Sequence, residues 1–374
     1  MPTLFEPYTL GPITLTSRMV MNPMTRSRSN GAGLAGAMMV DYYSQRATAG
    51  LIITEGTAPT PSGKGYARIP GIWNGKQVES WKPVTAAVHA KGGHIFMQLM
   101  HCGRIAHPAN MTNGATIVAP SALAAPGQMF TDSLGMQNHP VPRALNEDEI
   151  TQTIASYTKA AVNAIAAGFD GVELHGANGY LIEQFLSPTT NVRTDAWGGT
   201  VAKRLRFALE TAKSVAKAIG ADKVGMRISP YGVNGGMAAY PEIDETYLAL
   251  AEGLQEIGLV YLHLADHQAM GAPAIPAALK QSLRKAWTGA LLFGGSLDQA
   301  LAEKGIADGQ YDLAGLGRAF LANPDLVRRL TDGKPLNAVD MATFFTPGIK
   351  GYTDYPALPE PEAAVPEATE VVPA

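Results

Sequence analysis

One cysteine, Cys102, stands in a chain of 374 residues. A single thiol excludes an intrachain disulfide, a thiolate zinc centre and a cysteine-ligated iron–sulfur cluster. No apolar run reaches the roughly 18 residues that a membrane span needs. The opening Met-Pro-Thr-Leu-Phe-Glu-Pro-Tyr lacks the basic flank and apolar stretch of a secretory signal. Basic clusters able to neutralise a nucleic-acid backbone are missing, and 29 basic against 32 acidic residues leave a net charge of -3. The expectation is a cytoplasmic protein that binds neither nucleic acid nor membrane, and no metal.

What is present is apolar and regularly spaced. Hydrophobic residues make up 46% and charged residues 16%, the balance of a well-packed globular chain. Length alone suggests two or three domains, but a single barrel with insertions is an alternative. Leu4 to Arg18 reads as a hairpin, a lid beneath such a barrel. Arg18 to Thr25 is the first strong strand, Leu51 to Gly56 the second and Gly93 to Met100 the third. Helices are expected at 37–49 and 78–91 between them. His101 to Leu145 then breaks the rhythm, and a loop of that length is usually functional. Asn146 caps the next helix with Glu149 three residues on. Gly168 to His175 is the fourth strand. Four further units end in strands at 224–229, 259–265, 290–295 and 311–317. About eight strand–helix units with near-continuous apolar strands predict a (β/α)8 TIM barrel with an N-terminal hairpin lid and a long insertion after strand 3. Residues 1–355 form one domain in this reading. The Pro/Ala/Glu-rich tail, 356–374, has no cation and is expected to be disordered.

In such barrels chemistry sits at the C-terminal ends of the strands. Alternation points Gln98 and Met100, Glu173 and His175, and Arg227 toward the interior, with Thr25 ending the first strand. A buried Arg needs an anionic partner. Glu173 could serve it for structure alone, and a bound anionic ligand is the other possibility. At the far end, Phe293-Gly294-Gly295-Ser296 and Gly315-Leu-Gly317-Arg318 close strands seven and eight. Glycines there let backbone N–H groups approach a phosphate, and Arg318 adds charge. A mononucleotide suffices at such a site. The stretch His175-Gly-Ala-Asn178-Gly-Tyr180 is the richest in chemistry. If the backbone turns helically after Gly176, His175 and Asn178 can hold one oxygen, and Tyr180 can protonate beside it.

The residues resemble a family. Pro23-Met24-Thr25-Arg26, Gln98-Leu-Met-His-Cys-Gly-Arg104 and the long His175 to Pro188 segment carry the resemblance. So do Asn191-Val-Arg-Thr-Asp195, Arg227-Ile-Ser-Pro230, Gly317-Arg318 with Asn323-Pro-Asp-Leu326, and Gly351-Tyr-Thr-Asp-Tyr-Pro356. Across Leu4 to Leu358 the chain resembles the old yellow enzymes, FMN-dependent ene-reductases. It is most similar to the N-ethylmaleimide reductase and pentaerythritol tetranitrate reductase branch. The resemblance implies FMN as cofactor and NADPH, or NADH, as hydride donor. It also implies reduction of activated alkenes, with nitro compounds or nitrate esters as further substrates, by a monomer or homodimer. By the same resemblance Pro23, Met24, Thr25, Gln98 and Arg227 hold the flavin, and Gly294, Gly295, Gly317 and Arg318 its phosphate. His175 and Asn178 bind the substrate oxygen, and Tyr180 donates the proton. Tyr66, Met100 and Phe345 line the substrate side. From its position in the chain, and not from the resemblance, the loop 127–139 is expected to cover the site. Met100 stands where many relatives have Trp, which implies a wider pocket, and Trp197 stands where Tyr is usual. Cys102 reads as a buried small residue. A flavin-free, phosphate-binding barrel lyase is the alternative; it would need a lysine at a strand end.

Overall fold

Short apolar strands alternating with amphipathic helices close into a ring. The computed structural model describes residues 2–112 and 114–359. Its eight parallel barrel strands are β1 Met19–Met21, β2 Leu51–Ile53, β3 Ile95–Leu99, β4 Gly171–Gly176, β5 Val224–Ile228, β6 Tyr261–Ala265, β7 Ala290–Gly294 and β8 Leu313–Leu316. They pair in chain order, and β8 returns to β1 with Ala314 opposite Met19. The ring of helices is α1 Ala37–Gln45, α2 Gly75–His89, α3 Glu147–Ala166, α4 Leu181–Leu186, α5 Val201–Ile219, α6 Ile243–Ile257, α7 Ala277–Ala286, α8 Gln299–Ala307, α9 Arg318–Ala322 and α10 Leu326–Thr331.

Strand alternation splits the core in two. Val20, Leu51, Ile53, Phe96, Tyr261, Leu292 and Leu313 fill the barrel, while Met97, Leu99, Val172, Leu174 and Leu262 pack outward beneath the helices. The hairpin Tyr8–Leu10 with Ile13–Leu15 lends Leu10 and Leu15 to the inner cluster. It therefore plugs the barrel at the strand starts, as the sequence predicts, and leaves the strand ends for chemistry. The α3 cap is the expected reciprocal box: Asn146 accepts from the Glu149 N–H, and Glu149 accepts from the Asn146 N–H.

Four boundaries differ from expectation. β1 stops at Met21, not Thr25, because Pro23 has no N–H to continue the ladder and the Arg26 N–H turns to Glu55. α1 ends at Gln45, not Ala49, where the Arg46 guanidinium turns to the Phe320 and Leu321 carbonyls. The insertion is more ordered than its lack of periodicity suggests. Val118–Ala119 pairs with Arg143–Ala144, and Gln128–Thr131 forms a hairpin with Gly135–Asn138. Finally, residues 356–359 are tied down. The Pro356 carbonyl accepts from Arg329 and Asn337, and the Leu358 N–H donates to Asp325. The rest of the proposed tail, 360–374, lies outside the described residues.

The segment 343–352 is clamped onto the loop after β1. Arg26 donates to the Gly351 carbonyl at 2.7 Å, and Arg28 to those of Phe344 at 2.7 Å, Thr343 at 2.8 Å and Lys350 at 3.0 Å. Tyr352 stacks on Tyr42 with ring centroids 4.1 Å apart. No helix among the described residues is long and apolar enough to cross a membrane.

Candidate active site

Four neighbouring strands bring polar side chains into one layer near their C-terminal ends. Gln98 of β3 lies opposite Glu173 of β4, His175 opposite Arg227 of β5, and Arg227 opposite His263 of β6. Glu173 is the hub. It accepts from Gln98 Nε2 at 2.7 Å, the Tyr261 hydroxyl at 3.1 Å and His263 Nδ1 at 2.8 Å. Burial pushes its carboxyl up, but His263, Arg227 and Gln98 outweigh that and hold it below the ordinary value. Burial holds His263 below its ordinary value despite Glu173. The pair is therefore a carboxylate beside a neutral imidazole.

Arg227 is 9% exposed and makes no hydrogen bond among the described residues, and its Nε is buried without a partner. Glu173 acts on it through space but does not bond it. Its guanidinium is therefore poised for an acceptor from outside the chain. Gln98 uses its NH2 on Glu173, so its Oε1 remains as an acceptor. Together these suit the edge of a planar ring that carries both an N–H and negative charge.

The segment after β4 differs from the expected helical turn. Asn178 and Gly179 are both left-handed, with φ of +62° and +77°. Asn-Gly is the pair such a turn favours. The Tyr180 N–H closes it onto the Ala177 carbonyl, and α4 begins at Leu181. Gln184 fastens it by donating to the Gly179 and Cys102 carbonyls. His175 Nδ1 and Asn178 Oδ1 are buried without partners. The His175 and Tyr180 rings meet edge-on at 4.9 Å, and the Tyr180 hydroxyl donates to that of Tyr66 at 3.1 Å. The turn thus groups His175, Asn178 and Tyr180 by another backbone route.

Burial sets the protonation of this group. It pushes His175 well below 6.5, with Arg227, His263 and His267 adding to the effect. It pushes Tyr180 well above 10.0, with Tyr66 and Cys102 adding. The imidazole is neutral and the phenol keeps its proton.

Tyr180 packs with Ile69, Met100, Cys102, Ile105 and Ala125, and Tyr66 lies against this cluster. Met100 lies so close to Gly56 that a Cβ there would come 2.4 Å from its sulfur. Cys102 is fully buried and its thiol is pushed up to about 12, the state of an inert packing residue. Phe345 does not join the cluster: it is 59% exposed, with its carbonyl accepting from Arg68. Arg68 also pairs with Asp132, which ties the insertion hairpin to the same rim.

At the ends of β7 and β8 the glycines divide into two kinds. A Cβ on Gly294 would strike His263 Nε2 at 2.7 Å, and one on Gly315 would strike Asn22 at 2.2 Å, so packing requires both. A Cβ on Gly317 would meet nothing nearer than Met24 at 3.6 Å, which leaves an open cradle. Arg318 beside it is exposed and forms no ion pair among the described residues. Thr25 and Met24 are half-buried and Pro23 is buried. The orphaned Arg227, the acceptor on Gln98 and this cradle fit FMN. A cavity of about 1090 Å3 opens on the flank between α7 and α8 and reaches Gly295 and Ser296 at the end of β7. Its Lys280 and Lys304 are already paired with Asp266 and Asp308.

His263, Tyr261, Asn22 and Glu183 escape the sequence reading. The first two share the inward parity of Arg227, which was the available signal. No group able to hold a metal ion occurs among the described residues. No barrel strand ends in lysine. Buried Lys64 lies in the loop after β2 and donates to the Gly31 carbonyl, so the lyase alternative is not favoured.

The comparisons agree with this geometry. The model of the NADH:flavin oxidoreductase / NADH oxidase family matches residues 3–337. A chanoclavine-I aldehyde reductase of Penicillium roqueforti is 42% identical, with 98% of this chain and 99% of the relative covered. A probable flavin mononucleotide-dependent alkene reductase of Leishmania infantum is 41% identical, with 95% and 97% covered. The solved structure of morphinone reductase superposes with a TM-score of 0.92 at 40% identity, covering 96% of each chain. The chain therefore belongs to the NADH:flavin oxidoreductase / NADH oxidase family, and it is an FMN-dependent oxidoreductase of the old yellow enzyme type built on a TIM barrel.

Proposed function

We propose that this enzyme reduces alkenes conjugated to a carbonyl, imide or nitro group, with NADPH as the preferred donor and NADH as the second. Nitro compounds and nitrate esters are further candidate substrates. The observation that carries the proposal is the grouping of His175, whose buried Nδ1 has no partner, and Asn178, whose Nδ2 donates no hydrogen bond among the described residues, beside the protonated Tyr180. The chemistry that bound FMN supplies is hydride transfer, from the nicotinamide in one half-reaction and to the alkene in the other. With FMN bound, Arg227 would take up its negative charge and Gln98 Oε1 would accept one of its N–H groups. Thr25, Met24 and Pro23, in the loop after β1, would help to hold the flavin. Gly295, Gly317 and Arg318 would take the phosphate, while Gly294 packs tightly against His263 and Asn22. His175 and Asn178 draw electron density onto the substrate oxygen as negative charge grows there. Tyr180 delivers its proton to the carbon next to the activating group. Met100 and Tyr66 wall the substrate side, and Phe345 stands at its outer rim. A solved morphinone reductase complexed with tetrahydroNAD is 40% identical to this chain, which supports a nicotinamide as the hydride donor.

The test is an anaerobic titration of the purified holoenzyme. NADPH should bleach the yellow flavin band, and cyclohexenone should restore it. A band that bleaches but is not restored by any activated alkene overturns the substrate class. A protein that takes up no flavin from added FMN overturns the cradle.

The protonation states set the pH profile. His175 is shifted down, so it stays neutral as pH falls to 6.5; Tyr180 is shifted up, so it stays protonated as pH rises to 10.0. Stopped-flow reoxidation of the reduced enzyme by cyclohexenone should therefore vary by no more than about twofold between these limits. A break centred on either ordinary value would contradict the assignment.

A further inference from the structure

We propose that Glu183 is the positioning residue of the substrate-oxygen site, holding Asn178 on target through Ser229 and Gly179. The proposal rests on the reading of Asn178 as a substrate-oxygen ligand. A non-glycine residue at φ +62° sits in a sparsely populated conformation and needs its surroundings to hold it there. Here Gln184 holds the Gly179 carbonyl, and one carboxylate governs the N–H groups of both left-handed residues. The Gly179 N–H donates to Glu183 Oε2 at 2.5 Å. The Asn178 N–H donates to Ser229 Oγ at 2.9 Å, and the Ser229 hydroxyl donates to Glu183 Oε1 at 2.8 Å. The Tyr247 hydroxyl donates to the same Oε1 at 2.5 Å.

Glu183 stands in the first turn of α4, Ser229 just past β5 and Tyr247 on α6. The carboxylate therefore ties the turn to three elements, and both left-handed residues of the turn depend on it. His175 does not, because it is set by the β4 ladder. The same hub is only 2% exposed, and no cation bonds to it among the described residues. Burial pushes its carboxyl up to about 7, while Tyr247, Gly179 and Ser229 pull it back. A buried acid bonded in this way serves as an acceptor for the three donors around it. An amide at this position turns an NH2 toward one of those donors and leaves that donor unpaired.

The experiment is a double-mutant cycle on the FMN-loaded enzyme with cyclohexenone as the probe. Glu183→Gln and Asn178→Ala are made singly and together. Dissociation of cyclohexenone from the oxidised enzyme, read by the flavin absorbance change, is measured beside kcat and KM. Glu183→Gln should lower kcat/KM by about tenfold and raise the dissociation constant, yet change both by less than about twofold when Asn178 is already Ala. An equal loss in both backgrounds overturns the proposal, because Glu183 then acts other than through Asn178. So does an unchanged Glu183→Gln enzyme whose Asn178→Ala counterpart is impaired. If Asn178→Ala alone is silent, the substrate reading of Asn178 fails and the proposal falls with it. Ser229→Ala guards against misfolding of the first variant. It cuts the same link without touching α4, and it should show the same dependence on Asn178.

Discussion

Replacing Tyr180 by Phe is expected to slow reoxidation of the reduced enzyme by cyclohexenone about 10²- to 10⁴-fold, the usual worth of a positioned general acid. The ring keeps its contacts with Met100, Cys102 and Ile105, so the variant should fold and retain flavin. Only the hydroxyl that donates to Tyr66 is lost. Reduction by NADPH requires no proton from this residue and should stay within about twofold of the parent rate. Separate stopped-flow measurements of the two half-reactions provide the check. Equal slowing of both would mean that Tyr180 shapes the cavity rather than donating a proton. No slowing of either would pass the role to another donor, with Tyr66 the nearest hydroxyl. Combining the change with Tyr66→Phe then identifies it.

The second large effect is expected at Arg227. Arg227→Met keeps the length of the side chain and removes its charge. Glu173 stays satisfied by Gln98, Tyr261 and His263, so the apoprotein should be no less stable. Its melting temperature should even rise, since an unpaired buried guanidinium is itself unfavourable. FMN binding should weaken by about 2–5 kcal/mol, the typical loss when one partner of a buried charged contact is removed. In practice the variant should purify pale and need roughly 30-fold or more additional FMN to fill. Flavin fluorescence titration and calorimetry of the apoprotein separate the two effects. Parent-like FMN affinity with a lowered melting temperature would assign Arg227 to structural balance with Glu173 instead.

Much of this site could be read from alternation alone. Gln98, Glu173, His175 and Arg227 occupy inward positions on consecutive strands, and the register brings them together as the pattern implies. His263 and Tyr261 occupy the same inward set one strand further on. Alternation says where a side chain points but not what it meets, and their partner Glu173 is 88–90 residues away. Three-residue spacing predicts a helical turn after Gly176, whereas Asn178 and Gly179 are left-handed. The Asn-Gly dipeptide already favoured a left-handed turn. Glu183 looked like an ordinary helix residue, and only the approach of Ser229 and Tyr247 makes it a hub. Apolar residues continue past Met21 and lengthen the expected β1, while Pro23 ends the ladder. The insertion hairpin was hidden because a single side of it is buried and Phe130, Leu134 and Met136 are exposed.

The clamp on residues 343–352 also constrains how the molecule is made. Arg26 and Arg28 emerge early in synthesis, yet their acceptor carbonyls lie some 315–325 positions later. The seam between Met19 and Ala314 is equally remote in the chain. Until Ala314 and then residues 343–352 leave the ribosome, the first barrel strand keeps an open edge, and the two guanidiniums have only Tyr42 and the Arg26 carbonyl as acceptors. Such non-local closure is slow and leaves a nascent chain prone to aggregation. The seam and the clamp therefore close only once these late residues are free of the ribosome. Ribosome-stalled chains ending before residue 343 should remain protease-sensitive, whereas the same chains extended past residue 352 by a linker that spans the exit tunnel should not.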